Sequence, residues 1–305
     1  MTETSFTTAT TAKLSGLFPP EFEATQRIQW DILGEAPAGI DWQPAAPFDI
    51  ANARPLQAQA ESTAHFFDGH GFVLLTHKTG VQDWELASDH WDSSEAGRLY
   101  HSEIEQLVQR LLLPGRRVEL LQWWGPVLRG RGTSTPGYVN AVHSDYDVTA
   151  EDYEVNVEAY DDRDMADRWR RSYERDEVEA FMMIDFWRPT TMTGPLLHMP
   201  LALCDPTSVE MSDLVPTAFT GLAPSGRPAH QVLLRYNPGQ RWYYYPRMGM
   251  DEVLAFKLLE CRKDDPAPSK FRNVFHSAFA DPDTPADAEQ RQSCEHRIGV
   301  LILRD

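Results

Sequence analysis

Apolar residues along this chain fall mostly into short runs, and the spacing within each run separates strands from helices. GFVLLT at 71–76 is a continuous apolar run of strand length and predicts a buried strand. Residues 84–113 (WELASDHWDSSEAGRLYHSEIEQLVQRLLL) carry helical spacing, with Ile104, Leu107, Leu111 and Leu112 on one face. Pro114-Gly115 ends that helix, and VELLQWW begins another strand. From there strands dominate: 139–148, 180–187, 230–237, 241–245, 271–279 and 298–303. The polar, acidic stretch 149–178 between them predicts partial helix. MDEVLAFKLLECRK at 250–263 reads as an amphipathic helix, its acidic start and basic end suiting the helix dipole. Residues 1–60 are rich in Pro and Ala with weak periodicity, which predicts an extended arm over a single domain of residues 61–305. The expected fold is mainly β with flanking helices, a sandwich or barrel with a helical buttress.

Composition narrows the function classes. Hydrophobic residues are 42% of the 305 and aromatics 11%, enough to build a core. No run reaches the ~18–20 uncharged apolar residues of a membrane helix. The N-terminal residues lack the basic-then-apolar pattern of a secretory signal. The formal charge of −18 repels phosphate backbones, which argues against nucleic acid. Cys204, Cys261 and Cys294 are odd in number and widely spaced, so they predict packed thiols in a cytoplasmic protein rather than a disulfide frame or a metal knuckle.

Candidate chemistry centres on VNAVHSDYDV at 139–148. With 46 acids and 10 His, chance supplies roughly one or two His-x-acid pairs, and the chain holds three: His90/Asp92, His101/Glu103 and His143/Asp145. Only the last sits in a strand-like run, where residues two apart project from one face; on a helix they diverge by ~200°. Asp147, four residues from His143, is too far along a strand to share its ion. A facial iron site wants a second imidazole. His198, His230, His276 and His296 are the downstream candidates, of which His276 has strand-like sequence on both sides. Arg291 and Arg297 follow it, with Ser293 between them. A guanidinium fork with a hydroxyl nearby suits a carboxylate ligand, and Arg291 pairs better with Ser293.

His-x-Asp at 143–145, His276 in FHSAFADPDTPADA and RQSCEHR resemble the Fe(II)/2-oxoglutarate-dependent oxygenases. FFDGHGFVLLTHKTG (66–80), FWRPTTMTGPLLHMPLALCDPTSV (186–209) and WYYYPRMGMDEVLAFKLLE (242–260) resemble the branch with the cephem 7-hydroxylase (methoxylase) component and the fungal gibberellin desaturase. The likeness runs from about residue 65 to the end of the chain. It implies a double-stranded β-helix (a cupin-like jelly roll), Fe(II) held by His143, Asp145 and His276, 2-oxoglutarate as co-substrate and O₂ as oxidant. The interval from His276 to the arginines is longer than in many relatives, because DPDTPADAEQ intervenes. Arg188 of the FWRP motif is a candidate for a carboxylate of co-substrate or substrate. Tyr138 and Trp124 are candidate pocket residues.

The implied activity is hydroxylation or desaturation of an unactivated C–H in a small secondary metabolite, with release of succinate and CO₂. The run 145–164 invites a cationic substrate, but a solvated acidic loop is the simpler reading. Other classes compete: a cupin-like binding protein without redox chemistry, a partner subunit assisting a companion enzyme (or a homo-oligomer), and a zinc hydrolase on the same ligands, for which no general base is evident.

Overall fold

Every long strand among the described residues lies in one of three sheets that curl around a common interior. The structure is a computed structural model, and it describes residues 9–32, 44–82, 84, 91, 94–121, 125–130, 133 and 137–304. In chain order the first strands are β1 (Ala9–Leu14), β2 (Leu17–Phe18), β3 (Ile28–Asp31) and β4 (Ala46–Asn52). Helices α1 (Ala53–Ala58) and α2 (Thr63–His70) lead into β5 (Phe72–Thr76), and α3 (Glu95–Leu107) into β6 (Arg117–Leu121) and β7 (Val127–Arg129). Helices α4 (Ala150–Tyr160) and α5 (Arg163–Glu174) fill the acidic stretch, as its polarity predicted. The remaining strands are β8 (Val178–Pro189), β9 (Leu201–Cys204), β10 (Leu214–Thr220), β11 (Ala229–Arg235), β12 (Trp242–Tyr244), β13 (Glu252–Arg262), β14 (His276–Ala278) and β15 (Ser293–Leu303).

The large sheet runs β5-β13-β8-β15-β6, with β7 also pairing β15. Two smaller sheets, β1-β4-β12-β9-β14 and β2-β11-β10-β3, face it. The extended character expected of residues 1–60 takes the form of four strands that join both small sheets, rather than an arm laid over them.

The helix expected at 250–263 does not form. Glu252–Arg262 is the antiparallel strand β13, flanked by β5 and β8 and buried along nearly its whole length. The apolar inner face meets the interior, while Phe67 of α2 lies against the outer face at Lys257. A strand buried on both faces shows no two-residue alternation, so its unbroken apolar run cannot be told from a helix by periodicity. Its charges misled too: Lys257 and Glu260 form a buried ion pair 2.8 Å apart, and the Lys257 ammonium lies over the Phe67 ring. The cysteine thiols are all buried and free, as expected.

The two small sheets meet through residues 141–144. Ala141 bridges Ser15, His143 bridges His276, and Ser144 bridges Val232 of β11. This narrow seam replaces the regular strand expected over 139–148. Gly16 makes room for it: its φ is +82°, and a Cβ there would sit 2.7 Å from that of Ala141 and 2.9 Å from the Val142 nitrogen.

Candidate metal centre and its cavity

Backbone pairing brings the two histidines together. The His143 amide donates to the His276 carbonyl (3.2 Å) and the His276 amide to the His143 carbonyl (3.0 Å). Such a doubly bonded antiparallel pair places both side chains on one face, and the ring centroids are 4.3 Å apart. Each ring is then turned the same way. Nδ1 of His143 is 2.8 Å from the Ala141 carbonyl, and Nδ1 of His276 is 3.2 Å from that of Val274. A carbonyl can only accept, so Nδ1 carries the proton and Nε2 the lone pair. Those Nε2 atoms lie 3.3 Å and 4.0 Å from Asp145 Oδ1. Ligand atoms of all three residues fall within 4.8 Å of one another.

The protonation states suit a cation. Burial, reinforced by the neighbouring His143, pushes His276 down to about 4, so it is neutral and free to ligate. Burial alone would raise Asp145, but the Arg297 guanidinium and the two histidines hold its carboxyl well below the usual carboxylate range. Arg297 Nη2 is 3.0 Å from Asp145 Oδ2 and 3.8 Å from Glu295. Those two acids keep Arg297 charged against its own burial. The donor set, two imidazoles with Nε2 turned toward an ionised carboxylate, therefore fits a divalent transition metal.

The other histidines are elsewhere. His230 bonds Asp152 at 2.7 Å, His198 lies edge-on to Tyr138, and His296 is on the back of β15 beside Tyr100 and Trp91. Asp147 is held by Arg27 at 2.5 Å. His90, Asp92 and Trp124 lie outside the described residues. Burial pushes His296 down to about 3, so it stays neutral in the fold. An unfolded histidine gains its proton below pH ~6.5, so acidification favours the unfolded chain by about 1.4 kcal/mol per pH unit through this group. Urea unfolding at pH 7 and pH 5 should therefore show wild type losing about 2 kcal/mol more than His296→Phe, whose ring suits the same aromatic niche. Equal losses would mean the imidazole is not buried as described.

The triad opens into a cavity of about 560 Å³ between the large sheet and the two small ones. Its floor is built from cross-strand rows: Phe256, Asp185 and Arg297 align across β13, β8 and β15, and Leu254, Trp187, Glu295 and Val127 form the next row. Arg291, just before β15, also lines the cavity and is 2% exposed. Its Nη1 donates to the Met199 carbonyl at 2.6 Å, presented by a left-handed backbone (φ 51°). Its guanidinium stacks 4.1 Å from the Tyr138 ring centroid and 5.4 Å from that of Trp187. Among the described residues no carboxylate pairs with Arg291, and its buried Nε has no partner. Burial brings it down to about 10, still charged at neutral pH. Ser293, two residues on, is buried with its Oγ unpartnered among the described residues.

Two expected pocket residues have other placements. Arg188 projects from the opposite face of β8 to Trp187, outside the cavity. Its guanidinium donates to the carbonyls of His77 (3.0 Å) and Met250 (2.7 Å), which ties β8 to loops at the far edge of the sheet. Strand parity decides this: Trp187 faces the cavity, so its neighbour cannot. Tyr138 supports Arg291 through ring contact and a 2.8 Å hydrogen bond from its hydroxyl to the Arg291 carbonyl. The sequence reading missed Trp187, Phe256, Gln231 and the Arg129–Glu295 ion pair (2.8 Å) on the cavity wall. Parity from the FWRP motif could have found Trp187; Arg129 and Glu295 meet only through the register of β7 and β15.

Comparison with known proteins bears on the fold. A solved iron and alpha-ketoglutarate-dependent endoperoxidase, NvfI, superposes with a TM-score of 0.69 at 22% identity, covering 98% of this chain and 100% of that one. The shared fold is the double-stranded β-helix, as the family resemblance implied. Hydroxylase/desaturase poxK of Penicillium oxalicum is 28% identical over 144 residues, 41% of this chain and 43% of that protein. Hydroxylase/desaturase asaB of Aspergillus flavus is 32% identical over 133 residues, 39% of this chain and 55% of that protein. The chain spans about half the length of the curated relatives it matches. No described helix is long and apolar enough to cross a membrane. The family described as oxidoreductase/YMDC permease-like domain matches residues 31–301, and the chain belongs to that family, built on the fold of the 2-oxoglutarate oxygenases.

Proposed function

We propose that this chain is an Fe(II)/2-oxoglutarate-dependent oxygenase that hydroxylates or desaturates a C–H of a small secondary metabolite, releasing succinate and CO₂. One observation carries the reading. A metal-ready triad and a buried guanidinium without a carboxylate partner among the described residues line the same cavity. His143, Asp145 and His276 would hold the iron. With 2-oxoglutarate and O₂, the iron supplies the oxidising power for an unactivated C–H.

The chain's own groups do the rest. Arg291, held flat by Tyr138 and Trp187, offers an oriented fork to the distal carboxylate of 2-oxoglutarate. An isolated buried charge is costly, so an anion arriving there is stabilised by more than a surface arginine could provide. Ser293 is the nearby hydroxyl in this reading. Arg297 is a less suitable anchor, because it is engaged with Asp145 and Glu295. Its role is to keep the Asp145 carboxylate ionised and aimed. Val142, Phe256 and Trp187 exclude water around the reacting C–H. A cupin-like binding protein without redox chemistry would leave Arg291 unexplained.

The test is an anaerobic titration of metal-free protein with Fe(II) and then 2-oxoglutarate, followed by visible absorption. A weak charge-transfer band that saturates with 2-oxoglutarate is expected, and it should be absent from His276→Ala. Iron binding without the band would overturn the oxygenase reading.

A further inference from the structure

The cavity wall has almost no uncommitted charge. Arg129 is paired with Glu295 through two contacts of 2.8 Å and 3.0 Å to one carboxylate oxygen. Arg297 is paired with Asp145. Arg291 is assigned to the co-substrate. The acids of 145–164 that invited a cationic substrate are turned elsewhere: Asp147 and Asp152 engage Arg27, Glu154 engages Arg170, and Glu158 engages Arg227. Nearly all that remains is apolar or aromatic, including Ile32, Val127, Leu201, Phe219 and Leu233. At the cavity's edge Val139 and Leu222 are exposed to 41% and 49%, apolar side chains left bare where a ligand would approach.

Besides the hydroxyls of Tyr146 and Tyr160, one polar side chain breaks this pattern among the described residues. Gln231 lines the cavity from β11, is 5% exposed, and its carboxamide has no hydrogen-bond partner among the described residues. Its backbone is fixed twice, by pairing opposite Thr217 of β10 and by the adjacent Val232–Ser144 bridge. By the register of that bridge Leu233 falls alongside His143, on the face opposite to Ser144 and Val232, and Gln231 lines the same cavity as the triad. A carboxamide facing the cavity can both donate and accept. It is therefore placed to read a neutral oxygen on a ligand beside the metal centre.

We propose that the substrate is a neutral, predominantly apolar, multi-ring or long-chain molecule carrying a carbonyl or hydroxyl, and that Gln231 binds this oxygen and so orients the reacting C–H. A cavity of about 560 Å³ is in the range that takes a drug-sized molecule. Cationic and dianionic substrates are excluded by the same accounting, since neither finds an unpaired counter-charge apart from the co-substrate's arginine. The role in orientation rests on the oxygenase reading; the chemical class rests on the cavity alone.

Metal-free protein and Nile red, a neutral fused-ring dye with a carbonyl acceptor, test both parts by fluorescence. One-to-one binding with a blue shift is expected, abolished in Leu233→Trp, which fills the cavity. Gln231→Leu should weaken it roughly five- to tenfold, and a cationic or a sulfonated dye of similar size should compete at least tenfold less well than progesterone. Far-ultraviolet circular dichroism of each variant separates loss of site from loss of fold. Failure of Nile red to bind one-to-one, equal competition by ionic dyes, or undiminished binding to Gln231→Leu would each overturn the proposal. The anaerobic 2-oxoglutarate band, measured on the same preparations, keeps the two readings apart. A band without dye binding removes the substrate class and leaves the oxygenase; dye binding without a band does the reverse.

Discussion

Asp145→Ala should cost the protein its metal and part of its stability together. The carboxylate is one of three ligands, and it is also the nearest counter-charge of Arg297, 3.0 Å away. Removing one partner of a buried pair leaves the other charge uncompensated, which costs about 3–5 kcal/mol when burial is complete. Here the Arg297 side chain keeps 29% exposure toward the cavity and Glu295 remains at 3.8 Å, so about 1–3 kcal/mol is expected. Turnover should fall by roughly a thousandfold or more, about 4 kcal/mol in barrier terms. Calorimetric titration with Fe(II) under argon, together with urea unfolding, reads both effects. Metal affinity within a factor of two of wild type would remove Asp145 from the site. Asp145→Asn is the informative companion: it preserves shape but not charge, so it should lose most of the same stability.

Arg291→Met should have the opposite sign in the free protein. The guanidinium is buried, pairs with no carboxylate among the described residues and has an unpartnered Nε. An apolar side chain of similar volume relieves that desolvation, against loss of the Met199 hydrogen bond and the stacking on Tyr138. The balance should leave unfolding stability unchanged or raised by about 1 kcal/mol. Affinity for 2-oxoglutarate should fall about 100-fold, as for loss of a charge-assisted contact in a dry site, while Fe(II) binding stays as it was. Arg291→Lys should recover little, because a point charge cannot reproduce the planar fork. Unaltered 2-oxoglutarate affinity in Arg291→Met would transfer the anchor to another residue. Opposed stability effects from two charged residues of one cavity separate a paired charge from one waiting for a ligand.

Much of the centre could be read from the chain because it is local. His143 and Asp145 are two residues apart, and strand-like sequence around His276 singled it out among four downstream histidines. Yet Asp145 falls in a bend just past the seam rather than in a strand, so the geometry behind the pairing was only partly right. Where the reading failed, the deciding fact was which face of a strand meets which neighbour. Arg188 and Trp187 are adjacent in sequence and lie on opposite faces of β8. The segment 250–263 looked helical because both faces of β13 are covered, which erases the alternation that marks a half-buried strand. Gln231 carried no signal at all, since a lone glutamine in HQVLLRYN gains meaning only when Val232 bridges Ser144.

The seam at 141–144 has a consequence for how the protein responds to the ions around it. Only a few backbone bonds join the two small sheets there, and the same residues present His143 to the centre while their partner presents His276. An ion bound by those side chains would cross-link β14 to the chain beside β11, acting as a rivet across a narrow joint of the barrel wall. Loading and folding are then thermodynamically linked. The barrel would be most easily prised open where it is empty, and iron supply would set both how much enzyme is active and how long each molecule survives proteolysis.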